Sequence, residues 1–222
     1  MDTNKVKFEK ASVTVDVLIF TVEERDLKVL LVKRANKPFA NSWAIPGGFL
    51  LKGESLDEAA FRILIDKTGV TDVYLEQLYT FGDPERDPRG RVATVSYFAL
   101  IPFKKFAEPS SPKVSEIKWF SIKDIPSLAF DHNKILRYAL SRLRGKVGYS
   151  NIVYGLLPER FRFSDLQKLY EVVLNKELDK RNFRKRMFNL GLLESTGEKE
   201  VSGAHRPAML YKFKSREVVF FD

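Results

Sequence analysis

The chain is expected to be an α/β protein in two parts, a mixed-sheet unit over residues 1–148 and a winged helix-turn-helix over residues 149–222. Three observations lead there. In the first part, strand-like segments surround a loop and a capped helix. In the second, two short capped helices stand in a row, the later one strongly basic, and a pair of strand-like segments with a cationic connection follows them.

Val13, Val15, Val17 and Ile19 alternate with Thr14 and Asp16, the period of a strand with one buried face. Leu27 to Lys33 forms its hairpin partner across the polar Glu23 to Asp26 turn. A helix is expected from Ser55 to Lys67, then strands at Val73 to Phe81, Val92 to Ile101 and Glu116 to Phe120. Asp131 is placed to cap a further helix running to about Arg144, with residues 145–150 as the linker.

Beyond the linker, Ser164 is expected to cap a helix carrying Leu166, Leu169, Tyr170, Val173 and Leu174. Residues 175–178 make a short turn. Asp179 then caps a second helix with Phe183, Met187 and Leu190 inward, stopped by Gly191. Strands at Leu193 to Val201 and Met209 to Phe213 flank a polar, cationic tip over residues 202–207. The recognition-like helix offers Lys180, Arg181, Asn182, Arg184 and Lys185, and the tip offers His205 and Arg206. Arginine pairs with guanine, asparagine with adenine, and both basic types hold phosphates, so the partner this points to is a double-stranded DNA operator, with Arg206 probing the adjacent minor groove.

Composition narrows the class. A net charge of +9 and a pI near 9.6 suit a polyanionic partner. From Tyr149 onward there are fourteen lysines and arginines against ten acids, so the excess is shared by both parts and is concentrated locally in Lys180, Arg181, Arg184, Lys185 and Arg186, and again in Lys134, Arg137, Arg142, Arg144 and Lys146. There is no cysteine, which excludes disulfides and thiolate metal sites. No run of about 18 apolar residues occurs, and a soluble, cytoplasmic protein without membrane attachment is expected.

The stretch from Gly48 to Val70 resembles the Nudix box of nucleoside-diphosphate-X hydrolases. Gly48 is followed after five residues by Glu54, Arg62 comes after seven more, Leu64 takes the apolar place, and Gly69 and Val70 close the frame. Glu54 and Arg62 are expected to pair and pin the loop to the helix. Phe39, Trp43, Ile45, Pro46, Gly47 and Gly48 resemble the approach to that box, a short strand turning into its loop. The family's three interior glutamates are Ile63, Asp66 and Lys67 here. At i, i+3 and i+4 these positions share one helix face, and that face is formally neutral where the family pattern carries three carboxylates for magnesium. No metal and no catalytic residue is therefore assigned, and hydrolysis is expected to be absent or vestigial.

A degenerate Nudix domain followed by a winged helix resembles the Nudix-related transcriptional regulators, which control NAD metabolism or the use of arabinose and other sugars. The resemblance implies an α/β/α sandwich, a homodimer and a pocket that senses a small-molecule effector. In the NAD branch the effector is ADP-ribose or a relative; in the sugar branch it is a free sugar. Arg86 and Arg89, on a turn with Pro88 and Gly90, suit a diphosphate; the alternative is an exposed turn with Arg86 paired to Asp87. Lys67 suits an anion bound without magnesium, and ADP-ribose is favoured. Arg34, Trp43, Gly48, Glu54 and Asp87 complete the candidate pocket, with Trp43 equally suited to the core, and His132 is expected to order the start of its helix. No cofactor is required. The alternative function is a magnesium-dependent Nudix hydrolase of ADP-ribose or a similar nucleoside diphosphate derivative, with Asp66 and Glu54 as remnant ligands.

Overall fold

The computed structural model describes residues 9–103, 116–200 and 207–221. Strand β1 (Ser12–Glu23) turns through Glu24 and Arg25, both at positive φ, into β2 (Asp26–Lys33). Two consecutive left-handed residues give the turn whose twist matches an antiparallel pair. The chain continues through β3 (Trp43–Ala44), β4 (Gly47–Phe49), α1 (Leu56–Thr68), β5 (Tyr74–Phe81), β6 (Val92–Leu100), β7 (Glu116–Ser121) and α2 (His132–Tyr149).

The main path of the sheet runs β3-β2-β1-β6-β5, with β4 also paired to β1 and β7 to β2. β1 and β6 are parallel from Ser12 opposite Val92 to Phe20 opposite Leu100, and the other pairings are antiparallel. α1 lays Ala59, Ala60, Ile63 and Leu64 on the face carrying Val15, Val17, Ile19 and Val95. α2 lays Ile135, Leu136, Ala139 and Leu143 on the opposite face, against Leu18, Phe20, Phe98 and Leu100. The result is a mixed-sheet α/β/α sandwich.

A helix on each side corrects the expectation of one buried face for β1. Residues 14–21 are all buried, so Thr14 and Asp16 are interior groups. α1 lies within a residue of its expected limits because its signals are local. Ser55 Oγ accepts from the Glu58 N–H, Glu58 accepts from the Ser55 N–H, and Gly69 ends the helix at φ 66.

α2 corrects the expected linker. It runs on through Gly145 and Gly148, because Lys146 and Val147 are buried and the Lys146 ammonium pairs with Glu76 while lying 5.8 Å from the Tyr74 ring centroid. Tertiary contacts here outweigh the low helix propensity of glycine. A buried 3-10 turn at Ile152–Leu156 follows directly. A Cβ on Gly155 would stand 2.9 Å from Leu100 Cβ and 3.1 Å from Tyr74 Cβ, so only glycine lets this turn reach the sheet.

The last part contains β8 (Phe161–Arg162), α3 (Phe163–Leu174), α4 (Lys180–Asn189), β9 (Leu193–Glu200) and β10 (Ala208–Phe213), with strand order β8-β10-β9. Ser164 is not the cap of α3. Pairing of Phe161 and Arg162 with β10 keeps the backbone extended to Arg162, which takes the capping position. Asp179 caps α4 as expected, accepting from the Asn182 N–H at 2.8 Å. One apolar cluster continues from Leu18 and Phe20 through α2 to Phe163, Leu166, Phe183 and Met187, so both parts share a core.

Gly155→Ala is expected to destabilise the whole chain by about 1–3 kcal/mol through overpacking. Urea denaturation should show a lowered midpoint for both parts together, because they share that core.

Candidate effector pocket and nucleic-acid interface

A cleft of about 220 Å³ opens at the end of β1 between the β3–β4 connection, the 82–90 loop and the start of α2. Five of the expected pocket residues line it: Arg34, Gly48, Arg86, Asp87 and Arg89. Trp43, Glu54 and Lys67 do not. Trp43 packs edge-on against Phe120, with ring centroids 4.7 Å apart. Glu54 is clasped by Arg62 through bonds of 2.6 and 2.9 Å, as expected for a structural pair, and also accepts from the Leu51 N–H. Arg62 above all holds the Glu54 carboxyl down to about 2.

Arg86 is the buried centre of the cleft. Its Nε and Nη2 donate to Asp131 at 3.1 and 2.8 Å, and Nη2 lies 3.6 Å from Asp16. The Arg86 to Asp87 pairing does not form; Asp87 accepts instead from Arg89 at 2.9 and 2.6 Å. The Arg89 bonds hold the Asp87 carboxyl below its usual range. Asp131 stands at the capping position just before α2 but its side chain caps nothing, since the carboxylate is engaged by Arg86. His132 is buried, with Nδ1 accepting from the Ile45 N–H at 3.0 Å. Burial pushes its imidazole below the usual histidine range, so the ring is neutral and ties α2 to the β3–β4 connection.

Arg34 reaches the same cleft, donating to Pro38 O at 2.9 Å. Burial, then the nearby Arg89, pushes its guanidinium below its usual value, although arginine stays charged. Arg34 lies 4.7 Å and Arg89 5.7 Å from the Phe130 ring centroid, and Arg89 also covers Phe49 at 5.1 Å. Phe130 and Phe39 sit at φ 54 and 60, a costly conformation for bulky residues, with their rings 4.8 Å apart. Two guanidiniums thus lie over aromatic rings in the lining of the cleft.

The three box positions Ile63, Asp66 and Lys67 differ in their surroundings. Ile63 is 3% exposed and belongs to the core beneath α1, while Asp66 is exposed. Among the described residues no group of three or more His, Asp or Glu side chains could hold a metal.

The second surface is α4. Phe183 and Met187 are buried, while Lys180, Arg181, Asn182, Arg184 and Lys185 are exposed. Arg184 lies over Phe163 and Phe188, 4.9 and 4.8 Å from their ring centroids, and donates to Tyr211 Oη at 3.4 Å, which fixes its direction. His205 and Arg206 lie outside the described residues. No described helix is long and apolar enough to cross a membrane.

The NUDIX domain family matches residues 11–143 and the NrtR DNA-binding winged helix domain residues 153–213. The ADPR responsive transcriptional repressor NtrR of Acinetobacter baylyi is 38% identical over 220 residues, or 97% of this chain and 87% of that protein. The chain belongs to the NrtR family of Nudix-related transcriptional regulators. The crystal structure of Shewanella oneidensis NrtR complexed with a 27mer DNA matches at a TM-score of 0.83 and 40% identity, over 91% of this chain and 93% of that one. The NUDIX domain of the same NrtR, complexed with ADP ribose, matches at 0.57 and 41% identity over 61% of this chain and 90% of that one. NrtR membership accounts for both surfaces on one chain.

Sequence reasoning missed Asp16, Thr14, Phe49 and Phe130 as pocket residues. An acid midway along a run of strand-forming residues was the available signal for Asp16. Phe130 had none, since its role depends on a backbone conformation.

Ile63→Glu should place an unpaired carboxylate in the core and cost roughly 3–5 kcal/mol, read as a collapse of the thermal midpoint. His132 gives a pH effect of defined sign. Its folded pKa is depressed, so the unfolded chain binds the extra proton, and the contribution to stability is present above about 6.5 and lost as pH falls through the folded value. Melting midpoints from pH 7 to 5 should fall more steeply for the native chain than for His132→Asn.

Proposed function

We propose that this protein is a DNA-binding repressor whose Nudix domain senses ADP-ribose and holds it intact. The observation that carries this reading is the cleft in which Arg34, Arg86 and Arg89 converge while the neighbouring box helix lacks a carboxylate cluster. A diphosphate fits the guanidiniums through charge-assisted hydrogen bonds, and the exposed ring of Phe49 offers aromatic surface to an adenine. Gly48 leaves the backbone open to close approach. With Ile63 and Lys67 in place of two of the family's glutamates, the pyrophosphate is expected to lack the metal assistance that is worth several kcal/mol to its cleavage.

The basic face of α4 is the operator-reading element, with Lys180, Arg181, Asn182, Arg184 and Lys185 as its contacts, and the sequence adds His205 and Arg206, outside the described residues, as further candidates. The effector domain takes residues 1–148 and the DNA-binding domain residues 149–222. A cytoplasmic homodimer would meet half-sites about one helical turn, 34–36 Å, apart. The names of the Acinetobacter and Shewanella relatives support both the DNA and the ADP-ribose assignments.

The test is a gel shift on the upstream region of the protein's own gene, with ADP-ribose, L-arabinose and no effector. A response to ADP-ribose alone is expected, and a response to arabinose alone overturns the effector assignment. Arg184→Ala should abolish the shift while leaving ADP-ribose affinity intact; Arg89→Ala should weaken ADP-ribose binding about 10- to 100-fold, from a lost charged hydrogen bond of about 1.5–3 kcal/mol, with operator binding retained. Log K for the operator should fall by about 0.9 per log unit of salt for each phosphate contacted. Release of AMP from ADP-ribose with magnesium, at ordinary enzymatic turnover, would instead establish the hydrolase.

A further inference from the structure

Helix α2 touches both functional surfaces. Its 18 residues span about 27 Å at 1.5 Å per residue. At its start, Asp131 holds Arg86 in the wall of the cleft, and His132 accepts from the Ile45 N–H. At its end, Gly148 O accepts from Arg186 of α4 at 2.7 Å, and Tyr149 O accepts from the Phe221 N–H at 2.8 Å. The Arg186 guanidinium also lies 5.7 Å from the Phe221 ring centroid. Between these ends, Arg144 donates to Val173 O of α3 at 3.2 Å.

The first end has two possible arrangements. Asp131 sits at φ −90 and ψ 16, away from the extended backbone a capping residue takes, and its carboxylate caps nothing while bound to Arg86. A phosphate in the cleft competes with Asp131 for Arg86. Once released, Asp131 can turn to the Asn133 N–H at the start of α2, whose neighbours His132 and Lys134 already donate to Ala129 O and Asp131 O.

We propose that α2 is the lever by which pocket occupancy sets the position of the recognition helix, with Asp131 as the switch and Arg186 as the grip. This rests on the reading of the cleft as an anion-effector pocket. Exchange of Asp131 between Arg86 and the helix terminus moves the start of α2 relative to the sheet, and the rigid helix carries Gly148 and with it α4. Arg186 acts as a positioning residue. Its role is to hold α4 to α2 rather than to touch DNA.

The experiment measures the operator Kd with and without saturating ADP-ribose, and ADP-ribose affinity by calorimetry without DNA. Coupling of the usual size gives the native chain an operator Kd ratio of about 5- to 150-fold. Asp131→Asn, which keeps the shape and weakens the hold on Arg86, should bring the ratio close to one and tighten ADP-ribose binding. Arg186→Ala should also bring the ratio close to one, with ADP-ribose affinity unchanged and operator binding measurable, and Arg186→Lys should restore part of the coupling. Phe221→Ala, removing the ring over which Arg186 lies, should reduce the ratio without altering either binary affinity.

A native ratio retained in Asp131→Asn overturns the switch, and one retained in both Arg186→Ala and Phe221→Ala overturns the grip. Complete loss of operator binding in Arg186→Ala makes Arg186 a DNA contact and also overturns the grip. A native chain that binds no ADP-ribose removes the effector reading itself, and a native chain that binds it with a ratio of one removes the lever alone.

Discussion

Arg86 carries a guanidinium on a side chain only 3% exposed. Burying such a group is costly unless carboxylates surround it, and here Asp131 supplies two bonds and Asp16 stands 3.6 Å away. That single requirement ties strand β1, the 82–90 loop and the first turn of α2 together. It also reaches the β3–β4 connection, because a side chain at Gly47 would collide with the Asp16 carboxylate. Thr94 Oγ1 donates to that same carboxylate at 2.7 Å, and neutral His132 leaves the charge balance undisturbed.

The Nudix frame keeps its mechanical parts. Glu54 and Arg62 clasp loop to helix and Ser55 caps it, while Ile63 contributes apolar surface to the core where the family pattern has a ligand. Such a helix supports the sheet below it and the cleft beside it. The basic residues of α2 show how context changes the meaning of charge. Lys146 is buried against Glu76, Lys134 pairs with Asp83 at 2.5 Å, and Arg144 holds the end of α3, so these residues bind the protein together, whereas Lys180, Arg181 and Lys185 of α4 face solvent. The shared apolar cluster then makes the two parts one mechanical body in which a shift at one surface has a physical route to the other.

Features written in short-range chemistry were legible in the chain. The Ser55 to Gly69 helix, the Asp179 cap and the buried Phe183 and Met187 stripe each depend on residues three or four apart. Misreadings arose where a distant partner intervened. Asp131 looked like a cap but is held by a residue 45 positions away. Glycines at 145 and 148 looked like a linker, yet burial of Lys146 and Val147 keeps them helical. Ser164 lost the capping role to strand pairing with β10, and Asp16 looked exposed until helices covered both faces of its strand.

The sequence by itself determined the class of the protein: a Nudix frame without its glutamates, a basic recognition helix, and the partners those patterns imply. Periodicity, caps and charge spacing are local, and each survives in a list of residues. The tertiary structure alone decided which arginine would face an effector and which would be buried, how Phe130 would enter the cleft, and that α2 would bridge the two surfaces. Those outcomes depend on desolvation and on contacts between residues far apart in the chain, and neither can be assigned until the sheet and its helices have closed around them.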